Sequence, residues 1–413
     1  MPDPRRTPKR ERENETITVS DTLEPRVNRY YLKTSRKFMA AAVVSLLVLV
    51  LYIVFVAVFF GEYVTYDNMK YLVRDIDAMN IGGQSSFEKI VYNADGGADA
   101  EYFRGGLALS SPDKYRYYDT SGVLLVEENL GYASPLTASS EKYLLIYDLD
   151  GQKYSVFNQL TRIIEREAGT SLLSADIAND GSYVLARRST ETKYVVELYN
   201  GGFTNVMSIY KDNYVTDVSI SPDGNTVAVV SACPDTSDFS CEIDICRRGK
   251  SESVKKITLE HSMPLDVEAT DKGFVLVCSS EIVFFDKNGE NLTEKQFTGM
   301  SLRYADINGS TAAVVGTTNA LGSENRLLVI DTGDNFGKIL LDRTYSLRIM
   351  GVYASRNPDD CLCYLKLHDT AAQVLPDGEI SSRETDGEII SLVPMKTGAL
   401  VCTRTAAYRL FGE

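Results

Sequence analysis

The sequence predicts an all-β chain: a β-propeller of eight blades preceded by a single transmembrane helix. Three observations predict it. Residues 38–60 form a 23-residue apolar run without a charge. From residue 86 onward, short β-rich runs alternate with turns of Gly, Asp, Asn and Pro. Those runs return at intervals near 40 residues, the period of a four-stranded propeller blade.

The apolar run, "FMAAAVVSLLVLVLYIVFVAVFF", has its ends at Phe38 and Phe60. A helix of this length reaches roughly 35 Å, enough for a hydrocarbon core of about 30 Å. A buried globular helix rarely stays apolar on every face for so many turns. A cleaved signal peptide would have a shorter apolar core and a small-residue site after it; here "FFGEY" follows. The expectation is an uncleaved anchor in contact with membrane lipid.

Arg26, Arg29, Lys33, Arg36 and Lys37 precede the run, and only Lys70 and Arg74 follow it closely. The positive-inside rule then puts the N-terminus in the cytoplasm and the C-terminal domain outside. Residues 1–37 are polar and charged and read as a disordered cytoplasmic tail. Thr16, Thr18, Ser20 and Thr22 are acceptors for phosphorylation there, beside the simpler reading of an unmodified tail. Residues 61–85 read as a stalk helix and linker, with Leu72, Val73, Ile76 and Met79 at helical spacing.

Residues 86–413 make the expected extracytoplasmic propeller. Its apolar runs are "LALS" from Leu107, "YLLIYD" from Tyr143, "YVLA" from Tyr183, "TVAVVS" from Thr226, "FVLVCS" from Phe274, "TAAVVG" from Thr311, "CLCYLK" from Cys361 and "ALVCTR" from Ala399. A turn such as "NDGS", "SPDGN" or "NPDD" precedes each; "SPDK" at 111–114 sits out of phase with the rest. Alternating strands such as "SADIA", "TDVSIS", "LDVEAT" and "RYADI" come before several of the turns. The runs are apolar on both parities, as at Val227, Ala228, Val229 and Val230. Such strands are covered on both sheet faces, as blades stacked around an axis are. The chain ends on "AAYRLFGE", one strand short of a blade, and "FEKIVYN" (87–93) offers the missing strand. Joining them closes the ring and removes an edge. Seven blades is the alternative count.

The layout resembles a family of single-pass, membrane-anchored β-propellers of unknown function from clostridia-like Gram-positive bacteria. The basic tail, the anchor, and the segments "GQKYSVFN" (151–158), "VTDVSISPDGNTVAVVS" (215–231) and "EIVFFDKNGE" (281–290) carry the likeness. The resemblance implies a propeller facing the cell wall and brings no catalytic residues with it. The chain has no Trp, so the WD signature of WD40-like propellers is absent.

Chemistry is sparse. Residues 61–413 carry 33 basic and 51 acidic residues, a balance of −18. That argues against nucleic acid as a partner, which needs a basic face. The two histidines, His261 and His368, lie in no metal-ligand spacing and near strand ends. No nucleophile elbow, phosphate loop or cofactor motif occurs. "DLDGQK" (148–153) and "DKNGEN" (286–291) resemble calcium loops but lack the remaining ligand positions; hairpin turns explain both. Of seven cysteines, Cys278, Cys361, Cys363 and Cys402 fall in apolar strands as small core residues. Cys233 and Cys241 flank "PDTSDFS" and leave a hairpin disulfide open.

Three functions compete. The preferred one is a non-catalytic binding or scaffolding module in the cell envelope, engaging a protein, peptide or glycan. The second is a propeller hydrolase or lyase with carboxylates near the axis, which requires Asp, Glu, Arg or Tyr to converge there. The third is a single-pass sensor, although "AAAVVSLL" lacks a GxxxG packing motif.

Overall fold

The computed structural model describes residues 24–59, 89–92, 99–234, 239–250 and 252–412. It divides into an N-terminal unit, residues 1–73, and a propeller unit, residues 74–413. The stalk expected at 61–85, the anchor end Phe60 and the Thr16–Thr22 acceptors lie outside the described residues.

One helix runs Glu24–Phe59. Its segment Lys33–Phe55 is long and apolar enough to cross a membrane, with a mean hydropathy of 2.9. The helix begins ahead of the apolar run, so residues 24–37, read above as part of a disordered tail, are helical. The physical reason is cooperativity: once the apolar segment is helical, extending it through Arg, Lys, Leu and Tyr needs no new nucleus.

The propeller has eight four-stranded antiparallel sheets. Blade 1 begins with the strand Asp99–Phe103, blade 2 with Pro135–Ser139, blade 3 with Leu172–Ile177 and blade 4 with Tyr214–Ile220. Blades 5 to 8 begin with Pro264–Ala269, Ser301–Asn308, Gly351–Ala354 and Ser391–Pro394. First strands lie against first strands and form the inner wall at every junction but that of blades 5 and 6. All eight apolar runs are second strands, and the expected blade count is the observed one. Blade 8 takes its outermost strand from the start of the propeller: Ile90 pairs with Ala407 and Val91 with Ala406. The out-of-phase "SPDK" has a simple cause. The inner turn of blade 1 is Arg104–Gly105, with φ of 46° and 85°, and Ser111–Lys114 is the next turn along.

Each second strand divides its side chains between two neighbours. Val227 and Val229 pack with Val184, Ala186 and Val196 of blade 3. Ala228 and Val230 pack with Phe274, Leu276 and Cys278 of blade 5. In the turn between them and the inner strand, Ser221 Oγ bonds Asp223, and Gly224 takes a φ of 71° that a side chain would resist.

All seven cysteines are free thiols. Cys233 lies opposite Ser240 and Cys241 opposite Ala232. Partners across a ladder share a face and neighbours along a strand alternate, so Cys233 and Cys241 point to opposite faces. The hairpin disulfide left open by the sequence is therefore not formed, and making it needs a one-residue slip. Cys233 is half-buried and the other six are buried. A thiol reagent at mildly alkaline pH should label one cysteine rapidly in the native protein and all seven in denaturant without reduction. Labelling of fewer than seven in denaturant would show a disulfide.

Candidate functional site: an acidic bore

The inner strands carry seven carboxylates, Asp99, Glu101, Asp176, Asp217, Asp266, Glu268 and Asp306, against one basic residue, Arg303. They sit at alternate positions of strands that turn one edge toward the axis. An unpaired sheet edge presents N–H groups that need acceptors, and here the acceptors come from the preceding blade. Asp99 Oδ2 accepts from Thr137 N at 3.1 Å. Asp176 Oδ2 accepts from Ile220 N at 2.8 Å and from Ser219 Oγ at 2.7 Å. Asp217 Oδ2 accepts from Val267 N at 2.8 Å, and Asp306 Oδ2 from Ala354 N at 2.6 Å. Hydroxyls extend the pattern: Ser219 Oγ accepts from Ala269 N at 2.9 Å. Ser174 pairs with Asp217 and Asp176 with Ser219, so successive inner strands run the same way.

A bulge recurs at the start of four inner strands, at Leu172/Ser174, Val215/Asp217, Pro264/Asp266 and Leu302/Tyr304. A bulge re-aims the side chains that follow, and it aligns Ser174, Asp217, Asp266 and Tyr304 as one level of the bore. Two residues on, Asp176, Ser219, Glu268 and Asp306 form the next.

Blade 5 breaks the pattern. Asp266 and Glu268 occupy the clamp positions, yet neither bonds an N–H of the Ser301–Asn308 strand; among the described residues Glu268 has no hydrogen-bond partner. Glu101 is paired differently, with Arg356 Nη2 at 3.0 Å and Ser139 Oγ at 3.0 Å. Glu268 is exposed, its side chain open to the bore.

Burial sets the electrostatics. It pushes Asp176 up to about 6, against hydrogen bonds from Ser219, Ile220 and Ile177. Burial and the neighbouring Asp266 charge push Asp217 up to about 7. Burial, reinforced by the charge of Glu101, lifts Asp306 to about 7. Glu268 is raised well above an ordinary glutamate by burial and by Asp176, Asp266, Asp217 and Asp306. Crowded carboxylates cannot all ionise, so the bore holds protons near neutral pH.

Four of the seven inner-strand carboxylates hold blades together. The carboxylates are spread around the bore: among the described residues no group of three or more His, Cys, Asp or Glu could hold a metal ion. The residues singled out from the sequence lie elsewhere. His261 and His368 are exposed at turns, His368 Nδ1 lying 2.6 Å from Asp369. Asp286 of "DKNGEN" caps its own turn through Asn288 N and Glu290 N at 2.9 Å each. Asp148 of "DLDGQK" accepts from Ser134 N at 2.7 Å.

Where the inner strands begin, a cleft of about 510 Å³ opens between blades 5 and 6. Leu265, Phe297, Met300 and Leu302 supply its apolar wall, and Ser280 and Gln296 its polar one.

Solved structures similar to this chain match it at low identity. BamB from Moraxella catarrhalis is 11% identical and matches over 79% of this chain and 99% of its own, with a TM-score of 0.51. A chain of hydrazine synthase from Kuenenia stuttgartiensis is 14% identical over 74% of this chain and 99% of its own, at 0.47. The WD40 domain of Pan2 from Neurospora crassa is 7% identical over 80% and 97%, at 0.46. No curated protein matches. A family model does match, over residues 84–357, which is more than half of the sequence. The chain belongs to DUF5711, a family of unknown function.

Proposed function

We propose that this chain is a membrane-tethered propeller that acts as a non-catalytic binding or scaffolding module in the envelope of a clostridia-like Gram-positive bacterium. Its N-terminus lies in the cytoplasm, the helix within 38–60 anchors it, and residues 86–413 lie outside. The observation that supports the reading best is the use of the axial polar groups. Asp99, Asp176, Asp217 and Asp306 bind backbone N–H groups of the next blade, which makes the ring a rigid platform. Its faces then carry the recognition, as a closed ring with fixed loops suits. The partner is an envelope protein, peptide or glycan. In crosslinked cells the tagged chain should recover one reproducible partner, and deleting the propeller should produce an envelope defect. No partner and no defect would defeat the proposal.

A specific observation also supports the propeller hydrolase or lyase. Asp266 and Glu268 are unclamped carboxylates with raised proton affinity beside a cleft, the combination a general acid needs. Turnover of a peptide or glycan substrate that Glu268→Gln abolishes would favour it over the binding module.

A further inference from the structure

We propose that the cleft between blades 5 and 6 docks a protein segment that pairs a large apolar residue with an adjacent lysine or arginine. This rests on the binding-module reading and names its site and partner chemistry. Two surfaces meet here. The cleft, at about 510 Å³, is within the range that admits large side chains. Its rim exposes Leu265, 48% accessible, with Met263 beside it. Immediately below the rim the same strand carries Asp266 and Glu268. At roughly 3.3 Å per residue, Asp266 lies one step and Glu268 about 10 Å below Leu265. A basic side chain beside the residue that fills the cleft is brought first to Asp266, with Glu268 further in.

Charge complementarity selects the occupant. Asp99, Asp176, Asp217 and Asp306 each meet an N–H group of the following blade; at blade 5 neither carboxylate does. Glu268 faces Asp176, Asp217, Asp266 and Asp306, and a cation placed among them relieves repulsion that the fold leaves in place. Recognition there takes apolar contact as well as charge, the arrangement of a buried anchor beside a charged pair.

The test uses the full chain in neutral-lipid nanodiscs and a short fluorescein-labelled peptide of leucine and lysine, read by anisotropy. Matched peptides replace lysine with glutamate or leucine with serine. The leucine–lysine peptide should bind, the glutamate peptide should not, and the serine–lysine peptide should bind at least about tenfold more weakly. The double substitution Asp266→Asn with Glu268→Gln should weaken the first peptide about tenfold or more, and Leu265→Ser severalfold. Both variants should fold, because the first removes repulsion and the second changes an exposed side chain. Asp334→Asn, at an exposed loop, should change nothing. Undiminished binding to the double variant, equal binding of the glutamate peptide, or complete displacement by micromolar spermine or calcium would overturn the proposal. So would a dimer of this chain that Leu265→Ser dissolves, since a second copy would then be the occupant. If the double variant retains the partner that the wild-type chain captures in cells, the docking site is wrong and the binding module stands.

Discussion

Ile90→Asp should open the propeller ring, whereas Val91→Asp, one residue along the same strand, should leave it closed. The two residues form the outermost strand of blade 8, paired with Ala407 and Ala406. Alternation sends them to opposite faces. Ile90 is 1% accessible and packs among Leu107, Leu109 and Tyr118 of blade 1 and Val393, Leu400 and Cys402 of blade 8. Val91 is 76% accessible. A carboxylate at position 90 would be buried without a partner, and the lost packing alone costs about 2–5 kcal/mol. That is a large fraction of the roughly 5–15 kcal/mol that holds a typical domain together. Val91→Asp should change stability by less than about 0.5 kcal/mol. Tyr92, whose Oη donates to Thr403 O at 2.9 Å, remains in both variants. Urea midpoints give the comparison, and hydrogen exchange locates the opening: amides of Ala399–Cys402 and Gly106–Ser110 should lose protection first in Ile90→Asp. Equal midpoints for the two variants would mean that the N-terminal strand does not hold the ring.

The closure was legible because it follows from local patterns. "FEKIVYN" is strand-like and "AAYRLFGE" ends one strand short of a blade, and both can be read without knowing what lies between them. The eight second strands were legible for a similar reason: apolar residues on both parities require cover on both faces. The bore was not. "SADIA", "TDVSIS" and "LDVEAT" already show Asp, Ser and Glu on alternating positions, and that recurrence was the available signal. What each carboxylate does depends on an N–H group 44 residues away for Asp176 and 50 for Asp217. No local rule supplies that partner. The same limit applies to Cys233 and Cys241. Their spacing across a loop allows a bridge, and only the ladder register, Cys233 with Ser240, separates the thiols.

The propeller should lose stability as pH rises from 5 to 8, by roughly 3 kcal/mol in total. Three axial carboxylates set the window: Asp176 at about 6, and Asp217 and Asp306 at about 7. Unfolded aspartates titrate near 3.9. Between those values the folded state binds more protons than the unfolded state, so stability falls with rising pH. The contribution is fully present below about pH 4 and is lost as pH passes through 6 and 7. Carboxylates held low by partners, such as Asp342 beside Arg326 or Glu127 beside Lys114 and Arg116, act in the opposite sense, but only at acid pH. A tenfold difference in proton affinity between the folded and unfolded states corresponds to about 1.4 kcal/mol. The three groups titrate as a coupled set whose shifts do not add, and hydration of the bore screens them, which brings the combined effect to the order stated. At roughly 2–4 °C per kcal/mol, the melting temperature should be about 5–10 °C lower at pH 8 than at pH 5. Glu268→Gln fixes the central group in its uncharged form. It should leave the value at pH 5 unchanged and recover part of the loss at pH 8, because Asp176, Asp217, Asp266 and Asp306 then ionise beside a neutral neighbour. A melting temperature that is flat or rising from pH 5 to 8 would contradict the crowded bore. A basic peptide that binds among these groups reverses the slope. It binds the ionised form, so its affinity increases over the same interval in which the free propeller weakens.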